Sequence, residues 1–151
     1  MTSGSAPVEP GSYTVTASFA GDANYSPASA TATILIAYDV QSLTDLSKTF
    51  NAGRMIPIKL QLTDAAGNNL SSADIALIAI RLEQVNADGT RTQVALQDVG
   101  NFNRDNLFRY DAALGAYVFH LSTKGLTAGT YDLIWAAEGD ATEHAVSFQL
   151  V

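Results

Sequence analysis

Apolar and polar residues alternate along most of the chain, and the alternation is sharpest in residues 126–135 (LTAGTYDLIW). There Gly129 marks a turn, and Tyr131, Leu133 and Trp135 share one face of an extended segment while Asp132 and Ile134 take the other. A tyrosine at the start of such a strand can lay its ring on a core and return its hydroxyl to backbone a few residues upstream, with Leu126 and Ala128 as packing partners. The same phrase stands near the N-terminus: residues 10–23 (PGSYTVTASFAGDA) match residues 128–141 (AGTYDLIWAAEGDA). Gly11, Tyr13, Gly21, Asp22 and Ala23 correspond at one constant offset to Gly129, Tyr131, Gly139, Asp140 and Ala141. One turn, one strand and one Gly-Asp hairpin are written twice.

Taken in order, residues 13–19 place Tyr13, Val15, Ala17 and Phe19 on one face, and residues 30–37 (ATATILIA) predict a second strand after the Gly21-Asp22 turn. Two strands are marginal alone in water, so this hairpin is expected to dock on something. Residues 38–47 read as a linker or a first edge strand. Residues 50–63 put Ile56, Ile58, Leu60 and Leu62 on one face and Lys59 and Gln61 on the other, with Pro57 near the strand start, and a Gly/Asn-rich turn follows at 64–70. Residues 76–85 (ALIAIRLEQV) predict a strand with Ile78, Ile80 and Leu82 facing in, joined by the NADGT turn to residues 91–99. After a polar loop at 101–106, residues 107–110 and 116–121 form a hairpin, with Tyr117, Phe119 and Leu121 inward and Val118 and His120 outward. Residues 131–137 and 145–151 close the set, with Val146, Phe148 and Leu150 inward. About seven strands and almost no helix are expected over residues 50–151.

Composition narrows the functional classes. The chain has 151 residues, 47% of them apolar, which describes a folded domain and not a linker. A net charge of -7 with eight scattered cationic residues provides no basic stripe for nucleic acid. The absence of cysteine removes disulfides, thiolate catalysis and Cys-ligated metal sites. No apolar run reaches the length of a membrane-spanning helix, and the start lacks a charged-then-apolar signal pattern. Residues 1–5 (MTSGS) read as an artificial start, which places any export signal upstream.

Two resemblances sharpen this picture. Residues 9–37, through G-x-Y followed by GD-x-N-Y, resemble the last two strands of a bacterial immunoglobulin-like repeat. Residues 52–151 resemble a C-terminal bacterial extracellular domain of the PxKF type, through Pro57-Ile58-Lys59-Leu60, Asp64 with Gly67 and Asn68, Tyr117 with Phe119, and the closing TKGL-x-x-GTY over 123–131. Leu60 stands where that family has an aromatic. The resemblances imply an all-β, immunoglobulin-like antiparallel β-sandwich over residues 38–151, preceded at 1–37 by an extra two-stranded hairpin that is the remnant of a repeat. They imply an extracellular or cell-surface location beside neighbouring modules of the same polypeptide, and no catalytic residues to carry over. The hairpin either belongs to a domain whose earlier strands are absent or completes a sheet in this chain or a neighbour, so self-association by strand exchange is a further expectation.

Candidate chemistry is sparse. His120 and His144 are the only histidines, and no G-x-S-x-G elbow accompanies them, so no enzyme activity, zinc site or other cofactor is expected. The loops at Asp22, Asp64, Asp88, Asp111 and Asp140 offer oxygen donors for calcium, but none has EF-hand spacing, and aspartate in a turn usually caps its own backbone. Lys59, outward between Ile58 and Leu60, is poorly placed for an internal lysine cross-link. Tyr13, Tyr131 and Trp135 are assigned to the core. The remaining aromatics allow a polysaccharide site by ring stacking, with Phe102, Arg104, Asp105, Phe108 and Tyr110 as its candidate residues. The functional expectations are thus a structural spacer or adhesion-stalk module and, as the alternative, a carbohydrate-binding accessory module of a secreted enzyme.

Overall fold

The computed structural model describes residues 7, 10–140 and 142–151. Residues 1–6, 8, 9 and 141, which include the segment 1–5 read above as an artificial start, lie outside the described residues. Among the described residues eleven strands form in chain order: β1 (Gly11–Phe19), β2 (Ala28–Ile36), β3 (Asp39–Ser42), β4 (Thr49–Phe50), β5 (Met55–Thr63), β6 (Leu77–Val85), β7 (Arg91–Val94), β8 (Arg109–Asp111), β9 (Ala116–Ser122), β10 (Gly129–Ala137) and β11 (Glu143–Leu150). Two short 3-10 turns, Gly100–Phe102 and Arg104–Asn106, precede β8.

From residue 39 onward the strands make a β-sandwich, one sheet ordered β4-β11-β10-β6-β7 and the other β3-β5-β9-β8. All pairings are antiparallel except the two-residue parallel contact of β4 with β11. The segment left open as linker or edge strand does both jobs: β3 pairs with β5, and the chain then crosses to the opposite sheet as β4. The inner faces follow the alternation. Ile56, Ile58, Leu60 and Leu62 of β5 and Tyr117, Phe119 and Leu121 of β9 meet Tyr131, Leu133 and Trp135 of β10 and Val146, Phe148 and Leu150 of β11 in one core.

In β6 the alternation misleads. Leu77, Ala79 and Leu82 are buried, while Ile78 and Ile80 are 44% and 41% exposed, so of the three residues expected inside only Leu82 is there. The cause is a bulge against β10: Ile134 pairs with Arg81 and Trp135 with Ala79, which leaves Ile80 as an extra residue and reverses the parity N-terminal to it. Small Ala79 then stands beside the large indole of Trp135. The outer face also departs from expectation, since Val118, Ile134 and Asp132 are buried there as well.

The hairpin β1–β2 forms a two-stranded sheet of its own. Val15, Phe19, Ile34 and Leu35 are 43%, 46%, 44% and 59% exposed, and Tyr13 is half-buried. The assignment of Tyr13 to a sandwich core is therefore corrected: the ring is only half-buried and lies outside the core cluster of the described residues, where β1 and β2 pair only with each other.

Candidate functional site

The loop between β7 and β8, together with β8 itself, carries the residues expected to stack on sugar, and the fold divides them. Phe108 is buried, its ring 4.8 Å from that of Phe119 and 5.9 Å from that of Trp135, so it belongs to the core and not to a binding face. Its backbone fixes it there, because the Phe108 N–H donates to the Leu77 carbonyl and Leu107 bridges to Ile78 across the mouth of the sandwich. Tyr110 is half-buried against Tyr117, at 5.4 Å between rings, and its hydroxyl donates to the Ser71 carbonyl. Neither is available for stacking on a ligand. Phe102, 59% exposed, and the Arg104–Asp105 ion pair at 3.7 Å remain together on the surface of the loop.

Two residues shape that surface without having been expected there. Asn103 is buried and its side chain imitates a strand: the amide donates to the His120 carbonyl at 2.6 Å and its oxygen accepts the His120 N–H at 2.8 Å. The loop is thereby hooked to β9 beyond the end of β8, with Asp105 and Asn106 taking left-handed backbone angles to turn the chain. His120, which alternation placed on the outer face, lies under Phe102 with ring centres 5.2 Å apart. Its Nδ1 is buried with no hydrogen-bond partner among the described residues. A loop asparagine able to pair with strand backbone is a weak sequence signal, because Asn is common in any turn.

A second cluster sits at the β10–β11 turn. His144 Nε2 lies 2.8 Å from Asp140 Oδ2, and its ring stacks on Trp135 at 4.6 Å and 21°. Asp140 Oδ2 also accepts the N–H of Tyr38 at 3.2 Å, and Oδ1 accepts that of Thr142. Burial pushes the Asp140 carboxyl up, but the hydrogen bonds from His144 and from the backbone of Thr142 and Tyr38 outweigh it and hold the group below its ordinary range. A His–Asp pair is part of a hydrolytic triad, but this imidazole lies flat on the core tryptophan with its side chain 14% exposed. The pair fastens the segment entering the sandwich to the turn at its end.

On the outer face of the five-stranded sheet, charges alternate in a ladder. Arg81 bonds Glu83 and Glu143, and Arg91 bonds buried Asp132 at 2.9 Å and approaches Glu83 at 3.6 Å. Ser147 donates to the other Asp132 oxygen. Glu83 and Asp132 are cross-strand neighbours of like charge, and the two arginines neutralise what would otherwise repel.

The turn aspartates cap backbone. Asp22 accepts from Asn24 and Tyr25, Asp64 from Ala66 and Asn68, Asp88 from Thr90, and Asp111 from Ala113 and Leu114. Among the described residues no three His, Cys, Asp or Glu side chains gather as metal ligands, and no helix is long and apolar enough to cross a membrane.

No family profile matches the chain, and no curated protein does. Among solved structures the chain is similar to the filamin domain of Lin-41, at 17% identity and a TM-score of 0.34, over 74% of this chain and 91% of that one.

Proposed function

We propose that the chain is a non-catalytic structural module, a spacer or adhesion-stalk domain of a secreted or cell-surface multidomain bacterial protein. The observation that carries this reading is the Asp140 latch. A carboxylate in the closing turn of the sandwich bonds the backbone of the segment that enters it, so the module grips its own linker at one end. A spacer needs that coupling, because a loose joint would transmit neither orientation nor load. The buried aromatic core and the capped turns support the same role, since they direct polar groups to stability and leave few for chemistry.

Carbohydrate recognition is kept as a second reading on one observation, the exposed Phe102 ring backed by His120 and flanked by Arg104 and Asp105. A polysaccharide and glycan panel on the intact chain and on Phe102→Ala separates the two. The spacer reading expects no sugar bound by either protein. Binding by the intact chain that disappears in Phe102→Ala, with an unchanged melting temperature, would replace it with a carbohydrate-binding module.

A further inference from the structure

The fold sorts cationic residues that are scattered in the sequence. Eight are present. Among the described residues, ion pairs engage Lys48, Arg81, Arg91 and Arg104. The other four all lie on or beside the four-stranded sheet: Arg54 just before β5, Lys59 within it, Arg109 at the start of β8 and Lys124 in the turn after β9. The five-stranded sheet, by contrast, closes its arginines into the ladder with Glu83, Glu143 and Asp132.

Register brings two of these cations onto one patch. Lys59 and Arg109 pair with Val118 of β9 from opposite sides, and all three are outward, opposite in parity to the core residues Ile58, Leu60, Tyr117 and Phe119. Neighbouring strands lie about 4.8 Å apart, so the backbones of Lys59 and Arg109 stand about 10 Å apart on one face. His120 is the next outward residue of β9, about 7 Å along the strand. It underlies the exposed ring of Phe102, at 5.2 Å between ring centres. The Asn103 hook holds this loop on β9, and Asp105 and Asn106 take left-handed φ of 57° and 60° to turn it there. Acidic side chains nearby are engaged or remote. Asp111 caps Ala113 and Leu114, Asp105 holds Arg104, and Asp39 lies at the far end of β5, opposite Thr63.

We propose that this face binds an acidic polysaccharide, a chain of uronate sugars, with Phe102 stacked on one pyranose ring and Lys59 and Arg109 pairing with carboxylates of the neighbouring units. The proposal rests on the carbohydrate reading above and names the class of sugar. Each unit of such a chain offers an apolar ring face and a carboxylate, and this surface presents the complement of both. The net charge of -7 does not prevent approach, because charges are screened beyond about 8 Å at physiological ionic strength and the local cations dominate. A single-stranded nucleic acid stacks successive bases on successive rings, whereas Phe102 is the only exposed aromatic of this face among the described residues.

The test is calorimetric titration of the intact chain with three probes. An oligogalacturonate carries rings and charge, its methyl ester keeps the rings without the charge, and poly-glutamate keeps the charge without the rings. The acid should bind about tenfold more tightly than the ester, and poly-glutamate should compete poorly with it. Lys59→Gln with Arg109→Gln should bind acid and ester alike. Lys48→Gln, which removes a cation from the loop before β4, should keep the preference, and Phe102→Ala should weaken both sugars, each variant melting as wild type does. Equal binding of acid and ester by wild type overturns the acidic assignment and leaves a neutral-sugar module. Binding of neither sugar overturns the carbohydrate reading with it. Poly-glutamate held as tightly as the acid, and unchanged in Phe102→Ala, reassigns the face to acidic peptide. A preference for the acid that survives in the double variant also overturns the proposal.

Discussion

At the scale of single residues, Asp140 shows how one side chain can hold two elements. Its carboxylate is almost fully enclosed and receives a histidine and two backbone N–H groups, from Tyr38 and Thr142. Because its folded pKa lies below the ordinary 3.8, the stability it contributes is complete above that value and is lost as pH falls through the folded value. The melting temperature of wild type should therefore drop more steeply than that of Asp140→Asn below about pH 4, with the variant less stable by about 1–2 kcal/mol at neutral pH. Equal slopes in a pH series of thermal melts would remove the latch from the acid response. The turn capping by Asp140 was legible in the Gly-Asp phrase. Its grip on Tyr38 was not, because 102 residues separate the partners and no local pattern encodes that distance.

At the scale of elements, alternation predicted strand existence well and facing well only where pairing is regular. β5, β9, β10 and β11 point inward as their sequences indicate. β6 does not, since a bulge is a property of two strands together and cannot be read from one. Leu77→Ala should then destabilise by about 2–5 kcal/mol, as a truncation inside the core, while Ile78→Ala should cost less than about 1 kcal/mol. Urea midpoints in the reverse order would place Ile78 inside and undo the register. The candidate sugar loop follows the same logic: five residues near one another in sequence were split because Leu107 and Phe108 are drawn across the sandwich mouth to Leu77 and Ile78. Phe102, Arg104 and Asp105 remained outside.

At the scale of the whole molecule, the described residues form a sandwich with one core and a hairpin that contributes little to it. Trp135 is fully buried in that core, its ring against Phe108 and His144 and its backbone paired with Ala79. Trp135→Ala should cost the sandwich about 3–5 kcal/mol in denaturant unfolding. Amide exchange in dilute β1–β2 should be unchanged by it, and coupled loss of protection would mean that the hairpin shares the core. The sequence by itself determined the strands, the closing tyrosine corner, whose hydroxyl bonds the Thr127 carbonyl, and the duplication of the hairpin, because each rests on local periodicity or a short turn signature. Tertiary structure alone decided which copy of that hairpin is enclosed, which aromatics of one loop are core, and where β6 slips by a residue. Those outcomes depend on which strand lies alongside another, and contact between distant segments leaves no period in the chain.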